Sequence, residues 1–218
     1  VEKDRSKKYT TNFYGVLKMS KPSQKYYDLI ESYKDLHEEG KFKGISLIPN
    51  IQPIKAIIEQ NKCKTLLDYG CGKAYPYVNH KYFEGLDKPV QDIWGIDSYQ
   101  LYDPAYPEYS KLPKGKFNVV VCTDVLEHVA EEDIDWVLNK IFSYSNKVVY
   151  LNICCQEAKK VFEKGKFKGE NVHISVFDDK WWVKKIGQVW RNFKQLKIYI
   201  VCNHKEGVSA LCIKKEKK

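Results

Sequence analysis

At 218 residues the chain is the size of one domain with room for a full layered core, and no run approaches the roughly 18 apolar residues that a membrane span requires. The opening VEKDRSKKYT is charged, with no apolar signal-peptide core behind it, which points to a cytoplasmic address. The formal charge of +9 raises nucleic acid as a partner, but only Arg5 and Arg191 are arginine, and the lysines are spread along the chain up to a terminal KKEKK. Lysine is the poorer residue for bidentate phosphate and base contacts, so the excess reads as general surface composition. The seven cysteines are an odd number in mostly apolar surroundings, without two C-x-x-C pairs to hold zinc, and read as reduced, buried thiols.

In chain order, residues 1 to about 50 carry no strong strand signal. Gln24 to Glu39 repeats its apolar positions at helical spacing, as a cap or lead-in would. A second helix from about Ile51 to Gln60 leads into the apolar run TLLDYG. From there strands and helices alternate, the signature of an α/β domain spanning 51–218 with a mostly parallel sheet. The strand candidates are Thr65 to Tyr69, either Ile93 to Asp97 or Tyr99 to Asp103, Asn118 to Thr123, Lys147 to Cys154, Lys197 to Asn203 and Ser209 to Lys214. Helices are expected at Glu131 to Tyr144, Gln156 to Glu163 and Lys180 to Phe193. Only the turn His204 to Val208 separates the last two strands, which predicts an antiparallel pair.

The first strand ends in LLDYGCGKA, an acid followed by two glycines. In an open α/β sheet the ligand sits outside the carboxyl ends of the strands. Gly70 and Gly72 allow a sharp turn and leave backbone for a ligand to approach, while Asp68 can face a cationic group. A bare G-x-G is shared with dinucleotide enzymes and ordinary turns. About fifty residues later NVVVCTDVLEHV gives another buried strand ending in an acid.

Together, LDYGCGK and CTDVLEHV resemble the first motif and the post-fourth-strand segment of the class I S-adenosylmethionine-dependent methyltransferases, in order and spacing from about Thr65 to Cys155. The stretch LYDPAYPEYSKLPKGKFNVVVCTDVLEH, with Asn171, His173, Trp181 and Trp182 after it, looks like a phage and bacterial branch of that family. The resemblance implies a doubly wound, Rossmann-like sheet of seven strands, mostly parallel with an antiparallel last strand. It places Asp68, Tyr69, Gly70, Cys71, Gly72 and Lys73 in the cofactor loop and Asp124 and Val125 on the neighbouring wall. It also calls for a ribose-binding acid ending the second strand, for which both Asp97 and Asp103 are candidates. Ala74 stands where a third glycine is common, a tolerable change unless that position needs a positive φ.

Methyl transfer from a sulfonium is an in-line displacement, so alignment and exclusion of water matter most. A hydroxyl acceptor must also lose a proton, to a general base or with help from a metal. His128 and Glu127 follow a strand end, and His173 lies where the family places acceptor contacts. Asp124, Glu127 and His128, joined by His173, are also similar to the acid, acid-His and later-His arrangement of metal-dependent O-methyltransferases, which leaves Mg²⁺ or Mn²⁺ held by Glu127, His128 and His173 open beside a purely protein-based site. One of the adjacent Trp181 and Trp182 should be core and the other free to cover the pocket. The tyrosines at 99, 102, 106 and 109 offer stacking surface or plain packing, and Lys159 and Lys160 read as a solvated helix face. The resulting expectation is an O-methyltransferase acting on a small-molecule or glycan hydroxyl. RNA ribose methylation and an inactive cofactor-binding scaffold subunit are the alternatives.

Overall fold

The computed structural model describes residues 21–216 in full and, before them, the backbone of Thr10–Thr11 and Leu17–Lys18, which pair as a two-residue antiparallel ladder. The rest of the expected lead-in and the end of the lysine cluster lie outside the described residues.

Six strands form the main sheet: β1 (Thr65–Tyr69), β2 (Ser98–Tyr102), β3 (Phe117–Thr123), β4 (Ser145–Cys154), β5 (Lys197–His204) and β6 (Gly207–Ile213). Their spatial order is β2-β1-β3-β4-β5-β6, parallel throughout except for the β5–β6 hairpin. The chain leaves β1 to one side for β2 and returns to its other side for β3, so the switch point, where α/β sheets hold ligands, falls between β1 and β3. Alternate residues enter two cores. Leu67, Val120, Cys122, Val149 and Leu151 pack with helices α5 (Ile134–Ser143) and α6 (Asp179–Trp190). Leu66, Val119, Val121, Val148 and Tyr150 pack with α2 (Ile51–Asn61), the short α3 (Tyr75–Val78) and α4 (Val90–Trp94). Burial on both faces explains why β3 and β4 are continuous apolar runs rather than alternating ones.

Two expectations are corrected. The described sheet has six strands, where the resemblance implied seven. Between Tyr102 and Phe117 the chain carries Pro104, Pro107 and Pro113 and turns through a short 3-10 segment at Pro107–Tyr109, because each proline removes a ladder donor. The helix expected at Gln156 to Glu163 is absent. Its backbone bonds run to distant partners instead: Asn171 takes both the N–H and the C=O of Ala158, and Phe162 pairs with Glu170 and Gly169. Ile93 belongs to α4, so of the two alternatives for the second strand it is Tyr99 to Asp103 that is realised, as Ser98–Tyr102.

Helix α1 (Gln24–Glu38) lies across the carboxyl ends of the strands in a third apolar cluster, where Leu29, Tyr33 and Leu36 meet Ala105, Ala130, Phe162, Phe167 and Val172. Ser23 caps it, accepting from Tyr26 N–H, and the Ser23 N–H and hydroxyl both donate to the fully buried Asp133 at 2.7 and 2.6 Å. Ser23→Ala removes the cap and leaves one carboxylate oxygen unbonded, so a loss of about 2 kcal/mol is expected in urea denaturation. An unchanged midpoint would show that this junction does not hold α1 in place.

Candidate active site

The loop after β1 starts at Gly70, whose N–H, with that of Cys71, points at the Tyr102 carbonyl, 2.7 and 3.2 Å away. Gly70, Gly72 and Ala74 all have positive φ, at 85°, 58° and 52°. A Cβ on Gly70 would sit 2.2 Å from Val125 Cγ2, and one on Gly72 would sit 2.3 Å from the Phe42 carbonyl oxygen. The glycines are therefore required where the loop is pressed between Val125 and the segment after α1. The expected bare backbone is used on the protein itself at those two Cα positions, while Gly70, Cys71 and Gly72 still border a cavity of about 570 Å³. The Lys73 N–H also donates to Phe42 O, at 2.7 Å, and its ammonium lies 5.9 Å from the Tyr106 ring centroid. Ala74 does occupy the left-handed region, which costs an L-residue about 1–2 kcal/mol.

Of the acids, Asp103 directly follows β2 and lines the cavity; its carboxylate accepts from Gly72 N–H and Ala105 N–H, both at 2.9 Å. It fastens the glycine loop to the second strand. Asp97 is ruled out of this cluster: it precedes β2, at the amino ends of the parallel strands and so away from the site, exposed, with Lys64 3.5 Å away. Asp68 is enclosed next to the loop rather than in the cavity wall, and one of its oxygens has no hydrogen-bond partner. Burial lifts its carboxyl to about 7, with the Tyr77 hydroxyl pulling the other way and the Asp103 charge adding to the rise.

The end of β3 forms the facing wall. Asp124 turns the chain at φ 52° and its N–H is held by Asn152 O at 2.9 Å. Its Oδ1 is buried without a partner, and burial raises its carboxyl while the nearby His173 lowers it. Glu127 is wholly enclosed: Oε1 accepts from Cys154 N–H at 2.9 Å and Oε2 has no partner. Desolvation, reinforced by Asp124, holds its carboxyl well above the usual range. His128 and His173 meet edge to face, with ring centroids 4.9 Å apart, and both line the cavity. Nδ1 of His128 bonds Val172 O at 2.8 Å and Nδ1 of His173 bonds Gln156 O at 2.7 Å, so each ring is left with Nε2 as its lone-pair nitrogen. Burial, then the neighbouring His173, pushes His128 down to about 4.

Asn171 explains the Asn-x-His spacing: besides clamping Ala158, its side-chain oxygen accepts from His173 N–H at 2.9 Å. Glu127, His173 and Cys154 bring ligand atoms within 4.8 Å of one another; His128, expected in that set, is outside it, and Cys154 takes its place.

The sequence model of the family described as "Methyltransferase domain" matches residues 44–187, about two-thirds of the chain. The chain belongs to that family. It is a class I, S-adenosylmethionine-dependent methyltransferase with a Rossmann-like sheet. No curated protein and no solved structure matches it.

The methyltransferase's residues fit that cofactor. A ligand with sulfonium and ammonium groups suits a site lined by Asp103 and by Asp124, whose Oδ1 is buried without a partner, with the partnerless oxygen of Asp68 enclosed beneath the loop, and the cavity falls within the size range of small-ligand sites, about 300–1,000 Å³. Gly70, Cys71, Gly72, Asp103, Asp124 and Val125 are brought together around it; Tyr69 also lines it. Sequence reasoning missed α1's part: Tyr26, Tyr33 and His37 line the cavity, and so does the segment from Phe42 to Pro49. The signal lay in α1's amphipathic pattern, which shows a buried face but not what it covers. Lys159 and Lys160 are exposed, but they border the cavity from a loop and not from a helix face. Trp182 is core, as one of the pair had to be. Trp181 stacks on Phe177 at 3.8 Å and does not reach the cavity, nor do Tyr99, Tyr102, Tyr106 and Tyr109. Among the described residues no helix is long and apolar enough to cross a membrane.

Asp68 also makes stability depend on pH. Its carboxyl titrates near 4 when unfolded and about 7 when folded, so the folded state binds the extra proton in that window and stability falls as pH rises through it. Asp68→Asn should match the parent chain near pH 4 and exceed it by roughly 2–4 kcal/mol at pH 8, without ligand, in urea midpoints. A gap that does not widen with pH would mean that the buried charge is compensated.

Proposed function

We propose that this methyltransferase methylates a hydroxyl oxygen of a small molecule or glycan. The observation that carries the reading is the pair of imidazoles, each fixed by a backbone carbonyl at Nδ1, across one cavity from the glycine loop. When bound, S-adenosylmethionine supplies an electrophilic methyl group and departs as a neutral thioether. His173 Nε2 takes the acceptor's hydroxyl proton as the oxygen becomes nucleophilic, and His128, kept neutral by the burial that pushes it down to about 4, orients that oxygen. Glu127 is a positioning residue: it is enclosed behind the histidines, its carboxylate holds Cys154 N–H and its carbonyl holds Ser175 N–H at 2.9 Å. Helix α1 covers the reaction and keeps water out. Gly70, Cys71, Gly72 and Asp103 would hold the cofactor with Asp124 and Val125, and Asp68 would add negative charge from beneath the loop as the pH rises past about 7.

A ribose hydroxyl of RNA is the second acceptor class, favoured by Lys43, Lys159 and Lys160 beside the cavity. The test is methyl transfer from labelled cofactor to panels of small hydroxyl compounds, glycans and RNA, with product identification by mass. His173→Ala and His128→Ala are each expected to leave cofactor affinity within a few-fold of the parent and to lower turnover by about 10²–10⁴. Undiminished turnover in both variants would remove the imidazoles from the chemistry. Cofactor binding without transfer to any panel would favour a scaffold subunit.

A further inference from the structure

We propose that Glu127, Cys154 and His173 bind a thiophilic divalent cation, zinc, at the wall of the cavity, with a fourth position left for water or the acceptor oxygen. The three ligands stand on their own geometry; the acceptor's use of the fourth position rests on the hydroxyl-acceptor reading above, and there the cation, with His173 Nε2 as its ligand, would acidify the hydroxyl in place of the free imidazole.

The three residues come from separate parts of the fold that the backbone binds together. Glu127 follows β3 in a 3-10 turn, Cys154 ends β4, and the hydrogen bond from Cys154 N–H to Glu127 Oε1 joins them directly. His173 is carried in by Asn171. Their ligand atoms lie within 4.8 Å of one another. Zinc bonds of about 2.0–2.3 Å in a tetrahedron require ligand separations of about 3.3–3.7 Å, so small side-chain rotations close the set.

Two further observations point to a ligand. Glu127 Oε2 is enclosed by protein with no hydrogen-bond partner, a costly state that native interiors seldom keep without reason. His173 gives its Nδ1–H to a backbone carbonyl at 2.7 Å, the outer-shell bond that metal-ligating histidines use to fix the Nε2 lone pair. The donor set then selects the ion. A thiolate, a carboxylate and an imidazole suit zinc, whereas Mg²⁺ and Mn²⁺ prefer oxygen-rich, six-coordinate sites. Three protein ligands with one open position is the arrangement of zinc sites that take part in chemistry. His173 lines the cavity, so the cation borders it.

The experiment is a titration of the full chain, stripped of metal by a chelator, with Co²⁺ as the spectroscopic stand-in for zinc. Expected are saturable uptake, a sulfur-to-cobalt charge-transfer band, displacement by zinc and no displacement by excess Mg²⁺. Cys154→Ser should abolish the band and weaken uptake at least about tenfold, while Cys155→Ser and Cys212→Ser keep it. Should Cys154→Ser fail to fold by circular dichroism, Glu127→Gln is expected to weaken uptake and retain the band. Absence of the band in the parent chain, its persistence in folded Cys154→Ser, unchanged uptake in Glu127→Gln, or displacement by Mg²⁺ would each overturn the proposal. Calorimetry with S-adenosylmethionine on the same samples separates the failures. Cofactor binding without cobalt uptake sinks the zinc site alone; loss of both sinks the reading of the whole cavity.

Discussion

The hydroxyl of Tyr33 sits between two backbone carbonyls, 3.0 Å from that of His128 and 2.9 Å from that of Val172. Its one proton joins α1 to both loops that carry the histidines, in a place where an unbonded carbonyl would cost about 1–3 kcal/mol. Both His128 and Phe42 meet the Tyr33 ring edge on, and Phe42's carbonyl in turn holds Lys73 N–H and fills the space beside Gly72. One side chain therefore sets the distance between the glycine loop and the imidazoles. Without α1 in that position the strand ends would form an open crevice, in which no reacting atoms are aligned and no water is excluded.

A chain with a formal charge of +9 has built an acidic site. Asp68, Asp103, Asp124 and Glu127 converge on the switch point, and three of them keep a buried oxygen without a partner. Such oxygens are costly in an interior of low polarity, and the cost becomes useful when a cation arrives. A sulfonium with its ammonium group on one side, and a metal ion on the other, would each supply the missing partner. Recognition of the cofactor is then expected to rest on a few enclosed carboxyls, where electrostatic interactions are less screened than at the surface.

Much of this was legible because it follows from local rules. The apolar runs of β1, β3 and β4 announced strands buried on both faces, and the glycines after β1 announced a tight turn. The short spacing before β6 announced a hairpin. What stayed hidden depended on partners far along the chain. Asp97 and Asp103 end similar stretches, and only the register of β2 against β1, with Tyr69 opposite Tyr102, puts one at the site and the other at the amino end of the same strand. The segment after β4 looks helical in isolation, but Asn171 draws its backbone into long-range bonds. Cys154 was invisible as a site residue, since a thiol at the end of an apolar strand reads as core until β3 and β4 are laid side by side. The Ala74 question could be posed from sequence, and only the backbone answers it: the alanine is in the left-handed region, where the loop tolerates the strain.

The central claim is that the cofactor lies between the glycine loop and the ends of β2 and β3, beneath α1. Hydrogen–deuterium exchange of the full chain with and without S-adenosylhomocysteine tests it most directly. The account predicts added protection at residues 69–74, 103–105 and 123–129 together with α1, and none in the β5–β6 hairpin. Protection confined to other segments, or no change at the glycine loop at saturating ligand, would contradict it.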